Sequence, residues 1–338
     1  MKAVRRVMLA LLCVAQLGAR GASAQDDVTI GYQLMYNPWK TAIVSGEIEQ
    51  AVGQPVAWRK FESGAKVINS MILGNVQIAQ SGSSPIAAGI SRGLDIEVVW
   101  ILEDIAAAEA LVVRDGAGVI APRDLAGKTI GVPFASTTHF HLLFALEQFG
   151  IEQKDVDIRN MQPQEIAEAW QRGEIDAAFV WDPALSEIKK SGKVLITSGV
   201  LSSWGKATFD AMVVDRTFAA QNPDFMCKLI KTVAAADADY LANPSAWTSG
   251  SDQVAAIVSL AGGDPENVPV VLGLYDFPTL REQASPRWLG GGGEGGVAQA
   301  LSFTAEFLRE QGKIRSVVDD FARHVNPRYV EMVLEGAC

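Results

Sequence analysis

Cysteine, histidine and positive charge are all scarce in this 338-residue chain, and each scarcity removes a class of function. Of three cysteines, Cys13 lies in an apolar leader, which leaves Cys227 and Cys338, too few for a disulfide framework. Cys227 sits in an apolar helical pattern and reads as a core residue, and Cys338 belongs to a loose end. Among three histidines, His139 and His141 stand two apart on an expected helix, so they face different sides and do not share a metal. No HExxH, GxSxG or CxxC occurs, so a cleft enzyme with Glu109 or His139 as base lacks a nucleophile–base pattern. Basic residues number 29 against 39 acidic ones, a net charge of −10, which excludes nucleic acid as a partner because that needs basic patches. No apolar run approaches the roughly 20 residues that span a bilayer.

What is present begins with an export signal. Lys2, Arg5 and Arg6 precede the mostly apolar stretch Val7 to Leu17, and Ala22-Ser23-Ala24 supplies a small-residue cleavage site, so residues 1–24 are expected to be removed after Ala24. Cys13 follows Leu12 rather than small residues, which speaks against a lipid anchor, and the surroundings of Arg5-Arg6 lend little to a twin-arginine reading. Cleavage takes away four basic residues (Lys2, Arg5, Arg6, Arg20) and no acidic one, so the charge moves from −10 to −14. Residues 25–338 are enough for two ordinary domains.

The chain then says one phrase twice. The first copy runs Val28-Thr29-Ile30-Gly31, Val56-Ala57-Trp58-Arg59, a helix-like stretch, Gly74 to Ala79, and a turn at Ser83-Ser84-Pro85. The second runs Lys128-Thr129-Ile130-Gly131, Val156-Asp157-Ile158-Arg159, another helix-like stretch, Gly173 to Ala178, and a turn at Trp181-Asp182-Pro183. The register slips by one residue at Gly74/Gly173. Solenoid repeats are shorter than this. Copies that each hold their own strands and helices predict two similar lobes, and the cleft between lobes holds ligands.

The coarse pattern fits an α/β fold. Strands are expected at Val28–Tyr32, Val76–Gln80, Ile96–Leu102, Ala110–Val113, Thr129–Val132, Val156–Asn160, Ala177–Trp181 and Ala211–Val214. Helices alternate with them, including Gly64–Leu73 and Thr138–Phe149, and Asn37-Pro38 reads as an N-cap and first helical residue. Such alternation predicts a mainly parallel sheet flanked by helices in each lobe. Asn222-Pro223 opens a long helix through Tyr240, and the six-glycine stretch Leu289–Gly296 is a loop with no phosphate-binding signature. The C-terminal third holds no third copy and is expected to complete the first lobe. That gives residues 25–113 plus 210–338 as lobe I and 114–209 as lobe II, with two crossings between them.

In doubly wound sheets, ligands sit beyond the carboxyl ends of the strands. Those ends carry Gln33, Ser81–Ser84, Ser136–His139 and Trp181-Asp182. Ser83 and Ser84, and Ser136, Thr137 and Thr138, each open a helix, where hydroxyls and free backbone N–H groups receive an anion or merely cap the helix. Glu109 and Asp210 each adjoin an apolar strand, where a carboxylate needs a partner: a structural ion pair or a cationic ligand group. Trp181 either packs in the core or covers the ligand.

Together, Tyr32-Gln33, Trp58-Arg59-Lys60-Phe61-x-Ser63-Gly64-Ala65, Gly82-Ser83-Ser84-Pro85, Glu109 to Val113, Val132-Pro133-Phe134-x-Ser136-Thr137-Thr138-His139, Ala169 to Gly173 and Phe209-Asp210 resemble the taurine, sulfonate and nitrate solute-binding family of bacterial ABC importers. The resemblance covers nearly the whole mature chain. It implies a two-lobed periplasmic-binding-protein fold of type II with a double crossover hinge, a monomer in the periplasm without cofactor or metal, and docking on a membrane permease. It implies taurine or a related small sulfonate as ligand, with Ser83, Ser84, Thr137, Thr138 and His139 at the sulfonate, Glu109 and Asp210 at the amine, and Gln33 and Trp181 packing beside it. A relative for another anion (alkanesulfonate, nitrate or a pyrimidine precursor) is the alternative, though a plain anion has no use for buried carboxylates. Leu34 to Trp39 departs from the family pattern, and Tyr36 or Trp39 is expected to narrow the pocket.

Overall fold

Runs of β-branched and apolar residues become strands here, and the turn residues between them start or stop helices. The structure, a computed structural model, describes residues 28–338, so the expected export signal over residues 1–24 lies outside the described residues. The ten strands are β1 (Val28–Gln33), β2 (Val56–Phe61), β3 (Ile78–Gly82), β4 (Ile96–Asp104), β5 (Glu109–Arg114), β6 (Thr129–Val132), β7 (Asp157–Asn160), β8 (Ala177–Trp181), β9 (Gly192–Thr197) and β10 (Phe209–Asp215). They form two five-stranded sheets, in the orders β2-β1-β3-β10-β4 and β7-β6-β8-β5-β9.

The repeated phrase has become a repeated sheet. β6 stands where β1 stands, β7 where β2 stands and β8 where β3 stands. Ile30 pairs with Trp58 and Ile130 with Ile158, the same offset in both copies. Ile30 then pairs with Ile78 but Ile130 with Ala177, which is the one-residue slip read at Gly74/Gly173. The fourth place in each sheet is filled from the far side of a crossing. After β4 the chain passes through residues 105–108 and enters the second sheet as β5, antiparallel to β8 and β9. It returns to the first sheet as β10, antiparallel to β3 and β4.

Each sheet is mainly parallel, as expected, and only its fourth strand runs against the rest. The expected lobe bounds need correction. Residues 109–113, assigned above to lobe I, pair within the second sheet. A strand's apolar composition says that it is buried, not which free edge it will pair with. The C-terminal residues do pack on the first sheet: Met226, Leu229, Ile230 and Val233 of the helix Pro223–Ala242 share one core with Ile30, Val98 and Met212.

The cysteines are also corrected. Cys227 and Cys338 form a disulfide, with Cα atoms 6.1 Å apart across a sequence separation of 111. The helix Arg328–Leu334 packs along Pro223–Ala242 and carries the chain end back to Cys227. Closing a loop of this length constrains the unfolded chain by about 4–5 kcal/mol in the chain-entropy model. Asn37 is not an N-cap either. The next helix, Lys40–Val44, has Trp39 at its N-cap, and the Asn37 side chain turns inward to Glu103.

Candidate functional site

An antiparallel strand begins where its parallel neighbours end, so the first residues of β5 and β10 join the carboxyl ends of β8 and β3. Asp210 is paired in register with Gly82, and Glu109 with Trp181. These four residues, with Gln33 at the end of β1, line one narrow cavity between the sheets. Met35, Gly64 and Pro85 complete the wall beside the first sheet, and Ser136 and Thr137 the wall beside the second.

One part of the cavity is built for an anion. The helices Gly64–Ile72, Ser83–Ser91 and Thr137–Gln148 all start at its wall. First-turn N–H groups lack intrahelical partners and carry the positive end of the helix dipole. Glycine permits the approach: a Cβ on Gly64 would lie 2.7 Å from Ser81 Oγ, and one on Gly82 2.8 Å from Thr137 Cγ2 across the cleft. The Trp181 indole N–H is buried without an acceptor, and Ser81 and Ser84 hydroxyls are buried without partners. A buried donor without an acceptor costs about 1–3 kcal/mol, so an anion arriving here would relieve Trp181.

The hydroxyls named from sequence divide. Thr137 lines the cavity, and its hydroxyl donates to Glu109 Oε1 at 2.5 Å. Ser83, Ser84, Thr138 and His139 are not in the lining. Ser83 Oγ accepts from the Phe209 N–H at 3.4 Å, and Thr138 Oγ1 lies 2.7 Å from Ser136 Oγ. His139 accepts the Ala135 N–H at its Nδ1 (3.2 Å) and stacks on Phe134 with ring centroids 4.5 Å apart, so its ring serves the loop. Tyr36 and Trp39 do not narrow the pocket. Tyr36 donates its hydroxyl to the Gly262 carbonyl at 3.2 Å, Trp39 packs 6.0 Å from Trp58, and Met35 is the neighbour that reaches the cavity.

The other part is rich in carboxylates. Glu103, Glu109 and Asp210 are all buried, with Lys40 as a buried counter-charge. The Lys40 ammonium donates to Asn37 Oδ1 (2.8 Å) and Gln80 Oε1 (3.4 Å), and Asn37 Nδ2 donates to Glu103 Oε1 (3.2 Å). Burial pushes Asp210 up to about 7, against the pull of Lys40 and of hydrogen bonds from Glu103 and Gln33. Burial, then the charge of Asp210, holds Glu103 well above the carboxylate range. Lys40 is brought down to about 7 by burial, although Glu103 and Asp210 oppose this. Glu109 rises to about 8, first through burial and then through Asp210. The Lys40 ammonium bears on Glu103 and Asp210 and not on Glu109, so the three carboxyl groups have room for a second cation.

Lys40, Glu103, Gln80 and Tyr275 were not singled out from sequence. Tyr275 is buried with an unpartnered hydroxyl, and the charges of Glu103, Asp210 and Glu109 all bear on it. A signal existed for two of them: Lys40 sits among Trp39, Ala42 and Ile43, and Glu103 follows seven residues of buried strand, where an ionisable group needs a partner.

With this geometry in place, relatives can be compared. A family model described as NMT1/THI5 like matches residues 56–247. The chain belongs to this family. It is 37% identical over 327 residues to the taurine-binding periplasmic protein of Escherichia coli (strain K12), covering 97% of this chain and 98% of the relative. Among solved structures, the alkanesulfonate-binding protein SsuA from Xanthomonas axonopodis pv. citri, bound to MOPS, matches with a TM-score of 0.72 at 20% identity, covering 86% of this chain and 96% of that one. The periplasmic nitrate-binding protein NrtA from Synechocystis PCC 6803 matches with a TM-score of 0.72 at 13% identity, covering 92% and 88%. At such identities the structural likeness establishes the fold, the two-sheet α/β architecture of periplasmic binding proteins.

Proposed function

We propose that this NMT1/THI5-like chain is the solute-binding component of an ABC importer, capturing taurine between its two sheets and delivering it to a membrane permease. The observation that carries the reading is that helix N-termini with neutral donors and two buried carboxyl groups line one cavity. A sulfonate spreads one charge over three oxygens and is met by several neutral donors: the first-turn N–H groups of the helices that open at Gly64, Ser83 and Thr137, and the Trp181 indole. An ammonium is met by Asp210 and Glu109, whose positions at paired strand ends face the same space. The taurine-binding relative and the sulfonate-binding structure support the same assignment. Export to the periplasm with cleavage after Ala24, action as a monomer, and closure of residues 28–104 with 209–338 onto residues 109–203 belong to this proposal.

Binding rather than catalysis suits the geometry. Ser198 lies between Glu109 (3.1 Å) and His141 (2.8 Å), but His141 Nε2 is occupied by the Lys206 carbonyl and Ser198 does not line the cavity. A nucleophile needs a path to substrate as well as an oriented base, and Ser198 has no such path into this cavity. The test is a thermal-shift panel of taurine, ethanesulfonate, nitrate and glycine, since a ligand specific to the folded protein raises its melting temperature. Taurine should give the largest shift. Equal shifts from ethanesulfonate or nitrate would leave the carboxylates without a ligand and overturn the assignment.

A further inference from the structure

Behind the cavity, Glu109, Ser198 and His141 form a buried chain of hydrogen-bonding groups whose ends set its proton count. The Lys206 carbonyl oxygen accepts only, and it lies 2.7 Å from His141 Nε2, so Nε2 carries a hydrogen. His141 Nδ1 is 2.8 Å from Ser198 Oγ, which is 3.1 Å from Glu109 Oε2. The serine hydroxyl has one hydrogen to give. If it goes to Nδ1, Glu109 must be protonated and donate to Ser198. If it goes to Glu109, Nδ1 must be protonated and donate to Ser198. With an ionised Glu109 and a neutral imidazole, one of these contacts sets lone pair against lone pair. The satisfied chain therefore holds one proton, at one end or the other.

The surroundings choose the end. The His141 ring lies between Phe140 and Phe179, at centroid distances of 5.4 and 6.2 Å. Burial holds it down at about 4, whereas Glu109 is held up at about 8. Both effects leave the imidazole neutral and the carboxyl protonated at neutral pH.

We propose that the unliganded protein keeps this proton on Glu109, positioned there by Ser198 and His141, and releases it to solvent when the ligand's ammonium enters the acidic end of the cavity. The inference rests on the functional reading above. The Glu109 O–H bond breaks, its proton passes to buffer, and the carboxylate stays against an ammonium whose own N–H bonds are unchanged. Other groups face the same space: Asp210 from β10, Tyr275 from the segment before Phe277, and Glu103 with Lys40 beyond Asp210. Asp182 follows Trp181, the register partner of Glu109, and the Lys206 ammonium is directed over the rings of Phe144 and Phe307. Asp210, Glu103 and Lys40 are thus the rival proton sources.

Calorimetric titration with taurine at pH 7, run in phosphate and in Tris, reads the proton directly from the difference in binding enthalpy. The wild type should release about one proton per taurine bound, and none with ethanesulfonate, which has no ammonium. Ser198→Ala removes the hydroxyl that donates to the Glu109 carboxylate once its proton has left, and should cut the release by about half or more with an unchanged circular dichroism spectrum. Equal enthalpies in the two buffers, with taurine bound, overturn the proton inference and leave the functional reading standing. Equal release with ethanesulfonate overturns the role of the ammonium. Unaltered release from Ser198→Ala moves the proton to the cluster of Asp210, Glu103 and Lys40 and overturns the role of the chain. Failure of the wild type to bind taurine overturns the functional reading and this inference with it.

Discussion

At the mouth of the first sheet, Asp210 pairs with Gly82 and has a buried ammonium, Lys40, behind it. At the mouth of the second, Glu109 pairs with Trp181 and has the hydroxyls of Thr137 and Ser198 around it. The two carboxylates occupy equivalent places in sheets of one strand order. Their chemistry differs because their neighbours do. Asp210 has a resident cation to share, so part of its charge is in place before ligand arrives. Glu109 has none, so the proton is its counter-charge until a ligand supplies another. Duplication placed the groups, and the non-equivalent residues around them assigned their roles.

That comparison is sharpened first at Asp210. Asp210→Asn should weaken taurine binding about a hundredfold or more, near 3 kcal/mol, because it strands Lys40 as well as the ligand's ammonium. Titration with ethanesulfonate should show a far smaller change, and equal losses would break the assignment of this end to the cation. Next comes Gly82, where a methyl group would press on Thr137 Cγ2 at 2.8 Å and Asp210 Oδ1 at 3.2 Å. Gly82→Ala should cost tenfold or more in affinity, as overpacking of about 1–3 kcal/mol holds the sheets apart. X-ray scattering should then show less compaction with taurine than in the wild type.

Glu109→Gln should weaken taurine binding by about tenfold, less than Asp210→Asn, because the wild-type carboxyl must first lose a proton. The same variant tests pH dependence. The folded pKa of Glu109 lies at about 8 against 4.5 for the free group, so the folded state holds a proton that the unfolded chain has already lost. This contribution is full below about pH 4.5 and disappears as pH rises through 8. Urea unfolding of unliganded protein should therefore lose less stability between pH 6.5 and 8 in Glu109→Gln than in wild type. Identical slopes would mean that Glu109 is already ionised. The smallest effect belongs to Trp181→Phe, which keeps the aromatic face and removes only the unpartnered N–H. About threefold to tenfold weaker binding is expected in calorimetry, the worth of one hydrogen bond. No change would place the sulfonate away from Trp181.

Much of the fold was legible because it rests on local pattern. Apolar runs such as Thr129–Val132 and Ala177–Trp181 became strands with the same bounds, and the glycines Gly74, Gly150 and Gly173 stopped helices where a positive φ is needed. Gln33, Glu109, Trp181 and Asp210, read from their places at strand ends, line the cavity, as does Thr137 at a helix start. The site was not legible where direction matters within a turn. Ser83, Ser84, Thr138 and His139 adjoin the right residues, but a helix turns each successive side chain by about 100°, and these point elsewhere. Lys40 and Glu103 escaped because each acts on the site across a sheet, through Asn37 and Gln80.

The sequence by itself determined that there are two like units, each with its own strands and helices, because periodicity and turn residues act over a few neighbours. The tertiary structure alone decided that β5 joins the second sheet, that Cys227 meets Cys338, and that Asp210 and Glu109 become equivalent. These are choices of partner between residues far apart in the chain. Such choices are made by open sheet edges and by the burial of shared surfaces, and a single strand of residues does not carry either.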